Sequence, residues 1–513
     1  MPKNIVLCSD GTGNSALKGR GTNVFKIYEA VDLNGHKFKK TLKNQVAFYD
    51  DGVGTESLKF LKMLGGAFGW GLSRNVKDLY TALARCYEPG DNIFVFGFSR
   101  GAFTVRQLAG FILGCGIIDK SHWKTDSELK KLVGKAFRTY RKRYRTWLGE
   151  RLKKLFSSDR QAREDFRKTY GVQHKTHAPD GKVRIRFIGV WDTVAAVGLP
   201  FDHLANFINN VIYLFKFPDR RLSSRVDKAC HALAIDDERH SFHPEVWDEK
   251  KEKQTDRIEQ VWFSGVHSNV GGGYPKQGMS LVALDWMMAQ AEEQGLRFIL
   301  TVRTSYHELQ NVNDKLYNSR SGIGVYYRYK VRDIGKMCQD NHMSQNIHVS
   351  ACHRIAAGTE GYAPVNLSRD LQIVATNKPP AAGEDSPALT KLASKMSKAF
   401  SNESPWSKAQ KWMTIRRYSH YGFIVLSLAI FWFSKQQPSG SSADEASWFD
   451  GVLKVAGFIV SDNIANNFLK PIFTRPEIGF PLLGLLVLFY MLGASAKGRI
   501  NKIFSTFWRK TLL

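Results

Sequence analysis

The sequence predicts an α/β fold, a mostly parallel sheet with helices on both faces, followed by a C-terminal pair of apolar helices. Three observations predict it. Five short apolar runs, at residues 5–8, 45–49, 93–97, 183–190 and 258–263, alternate with stretches of helical spacing, the order that builds a parallel sheet. One of these runs breaks at Gly97-Phe98-Ser99-Arg100-Gly101 and continues into a helix-like segment. Near the C-terminus the composition turns apolar, and residues 478–496 carry no charge.

The first run follows Met1-Pro2-Lys3-Asn4 directly, without a charged-then-apolar leader, which is the pattern of a chain made and folded in a reducing cytosol. Its end passes into Cys8-Ser9-Asp10-Gly11-Thr12-Gly13-Asn14, a polar, glycine-rich loop. An Asp-x-Asp-Gly-Thr loop would supply a nucleophilic aspartate in one class of phosphatases, but Cys8 stands where that nucleophile belongs. The six cysteines, Cys8, Cys86, Cys115, Cys230, Cys338 and Cys352, show neither a CxxC pair nor a Cys/His ligand spacing, so no disulfide framework and no zinc site is expected.

Val76, Leu79, Tyr80, Leu83, Cys86 and Tyr87 recur at helical spacing, and Glu88-Pro89-Gly90 stops that helix before the third run. The third run then reaches the Gly-x-Ser-x-Gly turn. A serine hydroxyl attacks well when it is lifted out of regular structure beside a base and the amides of a following helix, and a strand–turn–helix layout does this. Ser99 is the candidate nucleophile. In parallel sheets the working residues gather past the carboxyl ends of strands, so chemistry is expected at each strand end. After the fourth comes Gly189-Val190-Trp191-Asp192-Thr193-Val194, and after the fifth Ser264-Gly265-Val266-His267-Ser268-Asn269 with further glycines. Ser99, Asp192 and His267 stand in the chain order nucleophile, acid, base of α/β hydrolases. Amides near Gly11 or Thr12, with that of Arg100, are expected to form the oxyanion hole, and Asp10 in the same loop is assigned to the substrate.

The formal charge of +27 favours polyanions, either nucleic acid or an anionic membrane surface. Part of it lies in an insertion at about 120–181, where Lys and Arg share helical stretches with Phe137, Tyr140, Tyr144 and Trp147. Two readings stand there: an amphipathic helix at a lipid headgroup interface, or a cap helix whose apolar side packs on the core. Nucleic acid is not expected, because no helix-turn-helix, zinc-finger or RNP-like pattern accompanies the charge.

Residues 478–496 are long enough to span the roughly 30 Å hydrocarbon core, and residues 418–434 form a shorter candidate. Arg416 and Arg417 precede the first, and Lys497, Arg499, Lys502, Arg509 and Lys510 follow the second. The connecting region holds Asp444, Glu445, Asp450 and Asp462, so the positive-inside rule predicts a transmembrane hairpin with both ends and the large domain cytoplasmic. The expected organisation is a catalytic domain at 1–370, a linker and juxtamembrane helix at 371–415, and a membrane region at 416–513.

Ser9-Asp10-Gly11-Thr12-Gly13-Asn14, Gly21-Thr22-Asn23-Val24, Gly52-Val53-Gly54-Thr55, the Ser99 turn, Val190-Trp191-Asp192-Thr193-Val194 and Val266-His267-Ser268-Asn269-Val270-Gly271-Gly272-Gly273-Tyr274 form an ordered set. With His231-Ala232-Leu233-Ala234-Ile235-Asp236-Asp237 and the closing motifs at 347–350 and 362–367, they resemble the catalytic domain of type VI secretion phospholipase effectors. The resemblance covers roughly residues 2–367. It implies an α/β hydrolase that cleaves glycerophospholipid acyl esters through a Ser99–Asp192–His267 triad, with no metal and no cofactor. The basic charge and the hairpin add an anionic phospholipid membrane as partner and a bacterial inner-membrane location, and the family is compatible with an antibacterial effector or regulated membrane-damaging toxin, with delivery into another cell and with an immunity or activating protein. The insertion and the C-terminal hairpin depart from the shared domain. Two rival readings accompany this one: an esterase or thioesterase on smaller acyl substrates, and a non-enzymatic membrane-remodelling protein.

Overall fold

The computed structural model describes residues 2–11, 21–51, 67–141, 159–172, 183–194, 220–250, 256–368, 370–376, 387–402, 405–435 and 476–512. Its contacts divide the chain into two units, the first ending at Ser401 and the second comprising Asn402–Thr511.

The first unit is built on one sheet of eight described strands: β1 (Asn4–Ser9), β2 (Gln45–Asp50), β3 (Asn92–Phe98), β4 (Ile185–Trp191), β5 (Val226–Ala234), β6 (Ile258–Phe263), β7 (Gln345–His348) and β8 (Leu371–Val374). Their order is β2-β1-β3-β4-β5-β6-β7-β8, and every pairing is parallel. A parallel sheet must be covered on both faces, so its strands carry apolar side chains at every position rather than at alternate ones. Ile5, Leu7, Ile93, Val95, Ile188 and Val190 point into one hydrophobic cluster, and Val6, Cys8, Phe94, Phe96, Phe187 and Trp191 into the other. Helices Ala67–Cys86 and Arg100–Cys115 bring Leu79, Leu83, Leu108 and Ile112 to the first face. Helices Asn23–Ala30 and Gly278–Glu293 bring Val24, Ile27, Trp286 and Met287 to the second.

The five runs expected as strands correspond to β1, β2, β3, β4 and β6. The fourth is shifted, starting at Ile185 and ending at Trp191. β5 is an addition, and the reason is its composition: Ala229, Cys230, Ala232 and Ala234 are small residues of low β-propensity that fit between two covered faces. β7 and β8 span only Gln345–His348 and Leu371–Val374, too short to show a period.

The insertion resolves in favour of the cap helix where it is described. Helix Asp126–Arg141 buries Leu129, Val133, Ala136 and Tyr140 in the same cluster as Phe111 and Ile112. Tyr140 lies tilted against Phe111 and sits so close to Gly110 that an added Cβ there would lie 2.5 Å from its hydroxyl. The apolar side of this helix is thus spent on the core and is not presented to lipid. Tyr144 and Trp147 lie outside the described residues.

In the second unit, helices Pro405–Lys435 and Pro476–Leu512 run antiparallel. Trp406 meets Phe504, Arg499 lies over Trp412, and Phe423 faces Tyr490, so residue numbers rise along one helix as they fall along the other. Gly422 permits the closest approach, since a Cβ there would stand 2.4 Å from the Phe489 ring. One helix among the described residues, Glu477–Thr511, is long and apolar enough to cross a membrane, its most apolar stretch having a mean hydropathy of 2.0. Two spans were expected, at 418–434 and 478–496; the first falls short because Tyr418, Ser419, His420 and Tyr421 dilute its apolar stretch. Residues 436–475, expected to connect the pair, lie outside the described residues.

Candidate active site

β3 delivers Ser99 to the start of helix Arg100–Cys115 with φ 58° and ψ −122°, a backbone state that costs a non-glycine residue about 1–3 kcal/mol. The two flanking glycines are required by space. A Cβ on Gly97 would lie 2.6 Å from the Gly101 carbonyl oxygen, and one on Gly101 would lie 2.1 Å from the Ser9 carbonyl oxygen. The end of β1 therefore runs directly against the turn. The turn is also tied to β4: the Ser99 amide donates to the Trp191 carbonyl at 3.0 Å, and the Val194 amide donates to the Ser99 carbonyl at 3.4 Å.

Asp192 is the residue after β4, also at positive φ, 37°, and fully buried. Its Oδ2 lies 2.6 Å from Nδ1 of His267, the residue that opens the short helix His267–Gly271 after β6. Its Oδ1 accepts from the Ala234 amide at 3.0 Å. Burial by itself would raise the pKa of this carboxyl, but the Arg332 guanidinium and the His267 bond outweigh it and hold Asp192 well below the usual carboxylate range. Asp192 is therefore an acceptor, Nδ1 of His267 carries the hydrogen between them, and Nε2 is left with its lone pair. Burial lowers the pKa of His267, against the opposing pull of Asp192. The imidazole lies 4.6 Å from the Phe98 ring and meets Phe242 edge-on at 5.0 Å. Its backbone amide donates to Asp237 Oδ2 at 3.2 Å, and Asp237 is ion-paired to Arg239.

Asp192 and His267 are thus in contact, and Ser99 is brought beside them through Phe98 and Trp191, its chain and bonding neighbours. Among the described residues no hydrogen bond joins Ser99 to His267. Of the residues expected at the oxyanion hole, Arg100 opens the helix, so its amide falls in the first turn, where N–H groups lack an intrahelical acceptor. Burial lowers the pKa of its side chain to about 9. Gly11 instead turns its amide onto Asp10 Oδ1 at 2.6 Å, and Thr12 lies outside the described residues. Asp10, expected to meet substrate, accepts also from Thr22 Oγ1 at 2.5 Å and Tyr49 Oη at 2.7 Å. With these donors on a buried carboxylate it braces the loop.

The catalytic-domain model of the type VI secretion, Tle1-like phospholipase effectors matches residues 3–290. The chain belongs to this family. Its relatives include an uncharacterized protein of Saccharomyces cerevisiae (YEL023C), 28% identical over 253 residues, which are 47% of this chain and 32% of the relative. The chain thus spans about a third of that protein's length. A crystal structure of an uncharacterized protein from Pseudomonas aeruginosa aligns over 91% of this chain and 63% of its own, at 16% identity and a TM-score of 0.34, too low to carry an argument.

The Tle1-like match ends before a residue that motif reading missed. Arg332 is fully buried and donates through Nη1 to Asp192 Oδ1 at 2.7 Å and through Nη2 to Oδ2 at 2.8 Å. It is held in turn by the carbonyls of Ala234 and Phe242. No local pattern around Val331-Arg332-Asp333 announces it. Asp237 lies just past β5, in Asp236-Asp237, but the small residues of β5 give no strand signal that would draw attention to it.

Proposed function

We propose that this chain is a membrane-associated serine phospholipase that uses Ser99, Asp192 and His267 as its triad. The observation that carries this reading is the 2.6 Å contact of Asp192 with His267 beside a serine held at φ 58° between two space-limited glycines, within a Tle1-like catalytic domain. In the reaction, Nε2 of His267 takes the proton from Ser99 Oγ as the oxygen attacks a glycerophospholipid acyl carbonyl. The same proton passes to the departing glycerol oxygen, releasing a lysophospholipid, and water then resolves the acyl-enzyme by the reverse use of His267. The Arg100 amide serves the oxyanion, together with a donor from the 11–12 loop.

Membrane association rests on helix Glu477–Thr511, with helix Pro405–Lys435 lying along it as the second arm of a hairpin whose basic ends face the cytoplasm. A bacterial inner-membrane location is proposed from that helix and its flanking charges, and delivery into a competing cell and an immunity or activating protein from family membership. The test is lipid mass spectrometry after incubating full-length protein and Ser99→Ala with mixed anionic and zwitterionic vesicles. Serine-dependent lysophospholipid and fatty acid are expected. Equal turnover by the variant would overturn the nucleophile, and intact lipids with hydrolysis of soluble short-chain esters would move the reading to a small-ester enzyme.

A further inference from the structure

The positive φ of Asp192 turns the next amide out of the ladder of the sheet. The Asp192 amide still donates to the Ala232 carbonyl of β5 at 2.8 Å, continuing the β4–β5 pairing. Thr193 is fully buried, so its N–H needs an acceptor, and that acceptor is a side chain: the amide donates to Nε2 of His231 at 3.1 Å. The Thr193 carbonyl accepts from the Glu245 amide at 2.8 Å. A residue in the left-handed region costs about 1–3 kcal/mol and persists only where its surroundings fix it. At Asp192 a buried histidine does part of that fixing.

The place of His231 is set by its strand. On β5, Ala229 packs in one hydrophobic cluster and Cys230 and Ala232 in the other, so alternation sends His231 to the side of Ala229. There its ring meets Trp247 edge-to-face at 5.5 Å. Trp247 is pinned by its backbone, which donates to Gln260 Oε1 at 2.8 Å and accepts from Gln260 Nε2 at 3.1 Å. The Arg106 guanidinium lies 4.5 Å over the Trp247 ring and donates to the Glu245 carbonyl. Arg106 stands about two turns along the helix that Ser99 caps, so the support of His231 reaches back to the helix of the nucleophile. The Thr193 bond requires a neutral imidazole with its hydrogen on Nδ1 and the Nε2 lone pair facing the amide. Burial, reinforced by Arg106 and Arg332, lowers the His231 pKa to about 3 against the pull of Asp192. The ring is therefore an acceptor throughout the range in which His267 acts as a base.

We propose that His231 is a positioning residue for the triad: by accepting the Thr193 N–H it holds the left-handed turn that aims the Asp192 carboxylate at Nδ1 of His267. The inference rests on the triad reading above and deepens it, since His231 acts only through Asp192. Packing alone would be served as well by phenylalanine, whose ring keeps the edge contact with Trp247. The acceptor is what phenylalanine and leucine lack and glutamine retains.

The test compares full-length wild type, Ser99→Ala, His231→Phe, His231→Leu and His231→Gln by labelling with a fluorophosphonate probe. In that reaction the serine oxygen bonds to phosphorus, fluoride leaves, and His267 takes the serine proton. The maximal labelling rate and the half-saturating probe concentration are read on protein whose thermal unfolding shows a folded first unit. His231→Phe is expected to lower the maximal rate on the order of 10- to 100-fold, the cost of a small misplacement in a catalytic array, with the half-saturating concentration unchanged. His231→Gln, with an amide oxygen in reach of Thr193, should restore most of the rate. The acid limb of labelling reports His267 under the charges of Asp192, Asp237 and Arg239. With the Asp192 bond loosened, that limb should move to lower pH in His231→Phe and return in His231→Gln. His231→Leu repeats the non-accepting arm if the phenylalanine variant does not fold. Wild-type labelling by a non-accepting variant, equal loss in His231→Phe and His231→Gln, or loss of folding in both non-accepting variants would overturn the positioning role. Equal labelling of wild type and Ser99→Ala would instead overturn the triad reading on which it rests.

Discussion

Arg332 holds Asp192 by both of its terminal nitrogens, at 2.7 and 2.8 Å, in a fully buried pair. The carboxylate that orients His267 is thereby largely neutralised before the imidazole uses it. A buried charge without its partner is costly, so Arg332→Met is expected to lower stability by about 3–5 kcal/mol, and Arg332→Met with Asp192→Asn to recover part of that loss. Denaturant unfolding of the first unit's signal, measured in the full chain, checks this.

The pH dependence of that loss has a definite sign. Asp192 has a folded pKa below its unfolded value, so its contribution is complete above an unfolded pKa of about 3.9 and is lost as pH falls towards the folded value. The stability gap between the wild type and Arg332→Met should therefore be largest near neutrality and shrink below about pH 4. A gap that widened on acidification would contradict the ion-pair account.

His267 is held below the ordinary imidazole range by burial, and a general base works in its neutral form. The acid limb of kcat/KM on a soluble ester should accordingly lie below about pH 6.5. In Arg332→Met the Asp192 charge acts on His267 unopposed, so the limb should move to higher pH, and Arg332→Lys should move it back. A limb unaffected by either variant would reduce Arg332 to a packing role.

Gly101→Ala puts a methyl group 2.1 Å from the Ser9 carbonyl oxygen, where neither backbone can give way without moving the turn or β1. A loss of about 1–3 kcal/mol is expected from overpacking, with hydrolysis lost by at least as much, because the displaced segment carries Ser99. Thermal unfolding and ester turnover on the same preparation separate the two effects.

Leu488 is exposed on the apolar helix Glu477–Thr511. Leu488→Arg should cost about 2.5–3.5 kcal/mol of insertion if that helix sits in a bilayer, and nothing comparable if it does not. Alkaline carbonate extraction of membranes from expressing cells distinguishes these outcomes.

Much of this site was legible because the sheet is covered on both faces. Continuous apolar runs such as Ile93-Phe94-Val95-Phe96 mark such strands, and the polar residue that follows each is then conspicuous, as Asp192 after Trp191 and His267 after the β6 loop. β5 escaped because Ala and Cys fill a narrow space without a β-branched signature, and with it went the significance of Asp237. Arg332 escaped for a different reason: its meaning lies in a partner 140 residues earlier in the chain, and spacing within a segment carries no trace of a contact of that range. The basic insertion was ambiguous by nature, since the amphipathic pattern that seeks lipid is the pattern that packs on Phe111.

The clamp on Asp192 also sets an order of assembly during synthesis. Ser99, Asp192 and His267 all leave the ribosome before Arg332 does, and β7 and β8, which complete the sheet, come after it. A nascent or prematurely terminated chain ending ahead of residue 332 encodes Ser99, Asp192 and His267 but lacks the cation that offsets burial of the Asp192 carboxylate. A fragment that stops short of residue 332 is therefore expected to leave the Asp192–His267 pair without its buried counter-charge until the rest of the first unit is made.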